Sequence, residues 1–424
     1  MTPVLATAEI IAVGSELLGW TRVDTNSLFI AERLASLGIQ LRGKSVVGDD
    51  AARMRMFFDA AFSRSDLVVL TGGLGPTADD LTREVVAEAL GLPLIEDETI
   101  TAGIRERFAR RAMRMPELNR RQAMVPRTAT VLPNPHGTAP GLFISDPAAT
   151  GKCVVLLPGP PRELQPMFDA LCQGGALDER AGAERLHTVS IFTTQRSESH
   201  VDEAAQPVYR PWLVEQPPIE TTILATPGQI ELHLTMRSAD AAAASRRLDS
   251  ARAQLIAALG DAVFSTDGRS LPAVVGDLLR QRSLTVASAE SCTGGLFLER
   301  LTDLPGSSDF VAGGVVAYSN ALKTDLLGVR AELIAAHGAV SEPVAAAMAD
   351  GIRARTQAQV NVAITGIAGP GGGTGAKPVG TVVIAVLLEG HPLAIRTYLF
   401  PGGRQQVRLQ ASQTALDVIR RLLR

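Results

Sequence analysis

Leu67-Val68-Val69-Leu70-Thr71-Gly72-Gly73-Leu74-Gly75-Pro76-Thr77-Ala78-Asp79-Asp80 is the stretch on which the fold class turns. Four apolar residues in succession predict a strand covered on both faces, because such a strand has no side left for water. The glycines close it, and Thr82–Leu90 then carries a helical period that stops at Gly91. Upstream, Glu9–Val13 predicts another strand and Ser27–Leu37 a helix ended by Gly38. Downstream, Val154–Leu157 predicts a late strand running into Pro158-Gly159-Pro160-Pro161. Strands alternating with helices predict an α/β fold: a mostly parallel sheet with helices on both faces.

At 424 residues the chain is long enough for two or three domains. Apolar residues make up 46% and aromatics only 4%, so close helix–strand contacts must build the cores. A formal net charge of −3 gives no reason to expect nucleic acid as a partner. Cys153, Cys172 and Cys292 show no paired spacing and predict reduced thiols in a cytoplasmic protein. The start, MTPVLATAEIIAVGSELL, reads as a first strand rather than a secretory leader. No apolar run is long enough to span a membrane.

A composition break at Gln173–Gly182 divides the chain. Strands at Leu186–Thr193 and Gln229–Met236 and a helix at Ala239–Leu259 then predict a small α+β, KH-like middle module. Thr226-Pro227-Gly228-Gln229 there is a turn and not an RNA-clamping GXXG loop. A second α/β unit follows, with strands at Ser283–Ala287, Val311–Tyr318, Val360–Thr365, Gly380–Leu388 and Ala394–Phe400. Helices are expected at Leu296–Leu301, Pro343–Arg355 (with Ser341 as its cap) and Gln405–Leu423. The expected organisation is therefore two three-layer α/β/α domains, 1–172 and 263–424, joined by a module at 173–262.

Three stretches of the last domain hold more chemistry than a core requires. Ala289-Glu290-Ser291-Cys292-Thr293-Gly294-Gly295 lies between a strand and a helix. Ser291 there is either a helix cap or a nucleophile whose oxyanion would meet backbone amides and a helix dipole. Tyr318-Ser319-Asn320-Ala321-Leu322-Lys323 leaves a strand. Lys323 is either a surface cation or, if burial lowers its pKa, a base for a serine, with Tyr318 relaying the proton or holding the lysine. Thr365-Gly366-Ile367-Ala368-Gly369-Pro370-Gly371-Gly372-Gly373-Thr374-Gly375 is either a linker or a ligand loop at a strand end. Cys292 is the rival nucleophile.

In the first domain, Thr71 to Asp80 pairs glycine amides suited to pyrophosphate with Asp79 and Asp80, suited to a divalent cation. The other reading is an acidic helix start favoured by the macrodipole. Gly14-Ser15-Glu16-Leu17-Leu18 and Asp24-Thr25-Asn26 add a second polar cluster. Seven arginines between Glu106 and Arg127 form either a solvated face or a surface that steers an anionic nucleotide.

AESCTGG, GGVVAYSNALK, HGAVSEPVA, TGIAGPGGGTGAKPVGTV and FPGGR, in that order, resemble the C-terminal domain of the CinA family. The resemblance implies hydrolysis of nicotinamide mononucleotide (NMN) to nicotinate mononucleotide and ammonia, with no metal or cofactor. It implies Ser291 as nucleophile with Lys323 and Tyr318 as partners. Thr293, Gly294, Gly295, Thr365, Gly366 and Gly369 would line the substrate site, and Arg404 would take the substrate phosphate. Gly403 stands where the family more often has Asp.

TGGLGPTADD, Asn134-Pro135-His136-Gly137 and LPGPPRELQPMF resemble the family's N-terminal domain, which is related to molybdopterin-binding proteins. That resemblance implies metal-dependent hydrolysis of ADP-ribose. Gly14, Glu16, Asn26, Gly72, Gly73 and Thr77 would bind the nucleotide, and Asp79 and Asp80 a divalent Mg²⁺ or Co²⁺ ion, with K⁺ as an accompanying ion. Trp20 departs from the family's glycine and is expected to crowd this site. The alternative is a nucleotide- or pterin-binding regulatory module attached to the amidase. The expected partners are small nucleotides and a second copy of the chain in a homodimer.

Overall fold

The computed structural model describes residues 3–148 and 150–424. They form two compact units: residues up to His187 with Arg237–Ser245, and Thr188–Met236 with Arg246–Arg424.

The first unit is built on a six-stranded sheet ordered Gln40–Val47, Thr7–Val13, Leu67–Thr71, Cys153–Leu157, Gly141–Ser145, Thr130–Leu132. The first four strands run parallel and the last two antiparallel. Side chains alternate across a strand, so Leu67 and Val69 join Cys153 and Val155 on one face. Val68 and Leu70 join Val154 and Leu156 on the other. The first face is covered by Ile30 and Leu34 of the helix Asn26–Ser36 and by Leu164 and Phe168 of the helix Pro161–Cys172. The second is covered by Met54 and Phe58 of the helix Ala51–Arg64 and by Val86 of the helix Thr82–Ala89.

The stretch expected as a middle module, 173–262, contributes three strands of a four-stranded sheet ordered Glu220–Thr226, Gln229–Ser238, Arg185–Thr194, Val263–Ser265, whose last strand falls in the expected C-terminal domain.

The last sheet is ordered Val311–Val316, Val286–Glu290, Val360–Gly366, Thr381–Leu388, Ala394–Leu399. Its first three strands are parallel and the rest antiparallel. One face carries Val362, Ile364, Val382 and Ile384 under the closing helix Arg404–Leu422. The other is lined by alanines, Ala287, Ala289, Ala363 and Ala385, which let the helix Glu342–Thr356 approach closely.

Three expectations need correction. The strand placed at Ser283–Ala287 runs Val286–Glu290 instead, because Ser283 has φ 54° in the turn after the helix Leu271–Gln281. The strand expected to reach Tyr318 stops at Val316. Ser341 occupies the cap position of its helix, but its hydroxyl donates to the Gly338 carbonyl rather than accepting from the first turn.

Candidate active sites

Ser291 follows the last residue of the strand Val286–Glu290, at the C-terminal edge of the parallel strands. Its amide donates to the Ile364 carbonyl, and its own carbonyl accepts from Gly294, closing a tight turn. The helix does not begin until Leu296, with Gly295 at the cap position, so Ser291 does not cap it. Glu290 fills that role. Its fully buried carboxylate accepts from the amides of Gly295, Phe297 and Leu298 and from the Ser288 hydroxyl. The helix N-terminus expected to cradle an oxyanion is therefore occupied by a side chain. Within the turn, the amides of Cys292 and Thr293 face the Cys292 thiol and meet no carbonyl or carboxylate oxygen among the described residues.

Lys323 lies in the helix Asn320–Leu327 and is only 1% exposed. Ser319 caps that helix by accepting from the Leu322 amide. The Lys323 Nζ donates to Ser291 Oγ at 3.0 Å, to the Ala317 carbonyl at 2.9 Å and to the Tyr318 carbonyl at 3.4 Å. Among the described residues it forms no ion pair with a carboxylate, and burial lowers its pKa. The surface-cation reading is overturned. Cys292 is buried beside it, and burial pushes its thiol up to about 12. A thiol so held is a poor thiolate source, which disfavours it as the nucleophile.

Tyr318 is placed differently from expectation. Its carbonyl meets Lys323, whereas its exposed hydroxyl accepts from Arg404 at 2.8 Å. Arg404 also donates to the Gly369 carbonyl at 2.9 Å, so it joins the Tyr318 and glycine-loop segments. One turn further along the closing helix, Arg408 donates to the Thr293 carbonyl through Nε and Nη2. Thr293 is fully buried, and its hydroxyl has no hydrogen-bond partner among the described residues. The hydroxyl of Thr365 donates to the Ala339 carbonyl. Gly366 permits a close approach, since a Cβ there would stand 2.7 Å from Val382 and 3.0 Å from Cys292 Sγ. The glycine loop is not a free linker, because Lys377 binds the His337 and Val340 carbonyls at its end.

In the first unit, Gly14, Glu16, Gly72, Gly73, Asp79 and Asp80 line a cleft of about 540 Å³. Asn26 and Glu16 line an adjoining recess, and Asn26 Nδ2 donates to the Gly159 carbonyl. Two glycine amides expected for phosphate are already used: Gly14 donates to Val47 and Gly72 to Leu157. Thr77 braces the loop instead, its amide and hydroxyl both donating to Asp80. Among the described residues no group of three or more His, Cys, Asp or Glu side chains is arranged to hold a metal. Asp79 and Asp80 are carboxylates on the cleft wall, the donor type that a hard divalent cation takes together with ligand phosphates.

The arginine run divides by role. Arg107 and Arg111 line the cleft, and Arg107 also holds the Gly137 carbonyl. Arg121 binds the Thr77 and Asp80 carbonyls and Glu84, whereas Arg110 and Arg120 pair with Glu106 and Glu96. Sequence reading missed Glu163, a nearly buried carboxylate in the cleft that accepts from Asn134. Each lay within a motif of its own, and only the fold reveals the pairing across 29 positions.

Residues 268–423 match the family described as the CinA C-terminal domain, and residues 9–176 match the probable molybdopterin binding domain. A CinA-like protein of Koribacter versatilis is 45% identical over 418 residues, 98% of this chain and 99% of that protein. A putative competence-damage inducible protein of Symbiobacterium thermophilum is 45% identical over 424 residues, 98% of each chain. The chain belongs to the CinA family. Among solved structures, the competence/damage inducible protein CihA from Agrobacterium tumefaciens is 40% identical, with 36% of this chain and 94% of that one covered and a TM-score of 0.36.

Two departures from the CinA pattern can be placed. Trp20 is 96% exposed and is absent from the lining of the cleft and of its recess, so it does not crowd them. Gly403 caps the closing helix without a side chain, and a Cβ there would meet nothing within 4 Å. An aspartate would fit; here the Gln406 side chain takes the Gly403 amide instead. Among the described residues, no helix is long and apolar enough to cross a membrane.

Proposed function

We propose that the C-terminal domain hydrolyses the carboxamide of NMN to nicotinate mononucleotide and ammonia. The observation that carries this reading is the buried Lys323 Nζ, without a carboxylate partner among the described residues, 3.0 Å from Ser291 Oγ. A lysine whose charged form is disfavoured supplies a neutral amine. It accepts the Ser291 proton as Oγ attacks the amide carbon. The tetrahedral oxyanion is met by the amides of Cys292 and Thr293. Protonated Lys323 returns the proton to the leaving nitrogen, ammonia departs, and water then cleaves the acyl ester. Arg404, held by Gly369 and Tyr318, offers its remaining N–H groups to the phosphate.

The test is ammonia release from NMN by the wild type, Ser291→Ala and Lys323→Ala. No turnover by the wild type, or undiminished turnover by Ser291→Ala, sinks the mechanism.

For the N-terminal domain we propose metal-dependent hydrolysis of the ADP-ribose pyrophosphate. It is supported by one cleft that offers both Asp79 and Asp80 and the cations Arg107 and Arg111. Asp79 and Asp80 would hold the divalent ion, which supplies charge neutralisation at the phosphates. AMP release from ADP-ribose with Mg²⁺ or Co²⁺ tests this reading; binding without release favours a regulatory module.

A further inference from the structure

Glu290 belongs to neither the nucleophile–base pair nor the phosphate contact, yet it touches the support of both reacting groups. Its carboxylate takes three amides at the start of the helix Leu296–Thr302, which fixes the far end of the turn that begins at Ser291. Its main-chain carbonyl accepts from the Ala317 amide at 2.8 Å. The Ala317 carbonyl in turn accepts from Lys323 Nζ at 2.9 Å. Ser288, two residues earlier on the same strand, donates its hydroxyl to the same carboxylate at 3.0 Å. Glu290, Ser288, Phe297, Ala317 and Lys323 are buried, Gly295 and Leu298 half-buried, and the Glu290 carboxylate is satisfied by four donors.

We propose that Glu290 is a positioning residue for the Ser291–Lys323 pair, setting the nucleophile turn through its side chain and the base through its carbonyl. The inference rests on the serine–lysine reading of the site. The main-chain link survives substitution, but the side-chain link does not. In Glu290→Gln the amide nitrogen replaces one acceptor oxygen, so a donor faces a backbone N–H. The turn then relaxes, and displacements of an ångström at a nucleophile are worth about 100-fold in rate.

The test uses the full chain and two readouts: steady-state NMN deamidation, and the rate at which a fluorophosphonate probe labels Ser291. Glu290→Gln is expected to lower kcat and the labelling rate together by about 100-fold while KM stays within about twofold. A folded variant with kcat and labelling within about twofold of wild type overturns the proposal. So does a rise in KM at unchanged kcat. Should Glu290→Gln fail to fold, Ser288→Ala decides, because it removes one of the carboxylate's four hydrogen bonds, of the charge-assisted kind whose loss shifts an equilibrium by about tenfold or more. A lowered labelling rate in Ser288→Ala supports the proposal, and an unchanged rate overturns it. If the wild type releases no ammonia from NMN, the substrate assignment fails and labelling alone judges Glu290. If the wild type is not labelled either, both fall.

Discussion

Lys323 and Ser291 are 32 positions apart in the sequence and 3.0 Å apart at Nζ and Oγ. Burial lowers the Lys323 pKa from 10.5, and the neutral amine is the form that can take a proton. The kcat/KM for NMN is therefore expected to rise with pH through the folded Lys323 pKa, on a limb lying below 10.5. Lys323→Arg should remove the limb with the activity, because a guanidinium does not deprotonate. A pH–rate profile that ascends only through the ordinary lysine range contradicts this assignment.

Stability should follow the same group. Between the folded and the unfolded Lys323 pKa the unfolded chain holds a proton that the folded chain has released. Unfolding free energy must then rise with pH across that window, and below the folded pKa the full cost of the buried charge is present. Lys323→Met should flatten this slope, as read by denaturant unfolding at a series of pH values. Equal slopes in the two proteins would mean that Lys323 titrates normally.

Cys292 adjoins Ser291 but is buried, with its thiol pushed up to about 12. Cys292→Ala is expected to keep NMN deamidation within about threefold of wild type, since it removes little beyond a small apolar group. Iodoacetamide should leave the wild type active at neutral pH. Inactivation blocked by substrate and absent in Cys292→Ala would restore the thiol as nucleophile.

The β-α alternation was legible because both faces of the two large sheets are covered, so Leu67–Leu70 reads as an unbroken apolar run and Val360–Ile364 as one interrupted only by the buried Asn361. Ser291, Lys323 and Arg404 were legible as residue types within motifs. The direction of the Tyr318 side chain was not, since a hydroxyl pointing to Lys323 and one pointing to Arg404 have the same sequence. Glu290 was hidden for a related reason. Its importance lies in amides up to eight positions away, and backbone donors leave no mark in residue identity. The strand boundary at Ser283 was misread because a serine with positive φ carries no distinguishing composition.

Tyr318 and Arg404 share one hydrogen bond, so their substitutions should not add. Tyr318→Phe frees the Arg404 guanidinium on one side and is expected to act mainly on KM for NMN, as Arg404→Gln does. In the double variant the two effects should fall short of their sum by about 1 kcal/mol, the usual coupling of directly bonded side chains. Full additivity, or a loss confined to kcat in Tyr318→Phe, would return the hydroxyl to the proton pathway.

The N-terminal loop offers a separate test. Asp80 accepts from the Thr77 amide and hydroxyl, and a Cβ on Gly75 would lie 2.4 Å from its Oδ2. Gly75→Ala must push that carboxylate out of place, although the rest of the loop stays braced by Arg121. Because Asp79 and Asp80 lack a third protein carboxylate or imidazole arranged beside them among the described residues, the divalent ion should bind weakly alone and tightly with ADP-ribose. Calorimetric titration of Mg²⁺ with and without ADP-ribose measures that difference. Gly75→Ala should reduce AMP release by about tenfold or more, the scale of one misplaced ligand group, while NMN deamidation stays unchanged. Tight Mg²⁺ binding without ADP-ribose, or full pyrophosphatase activity in Gly75→Ala, would place the metal elsewhere in the cleft.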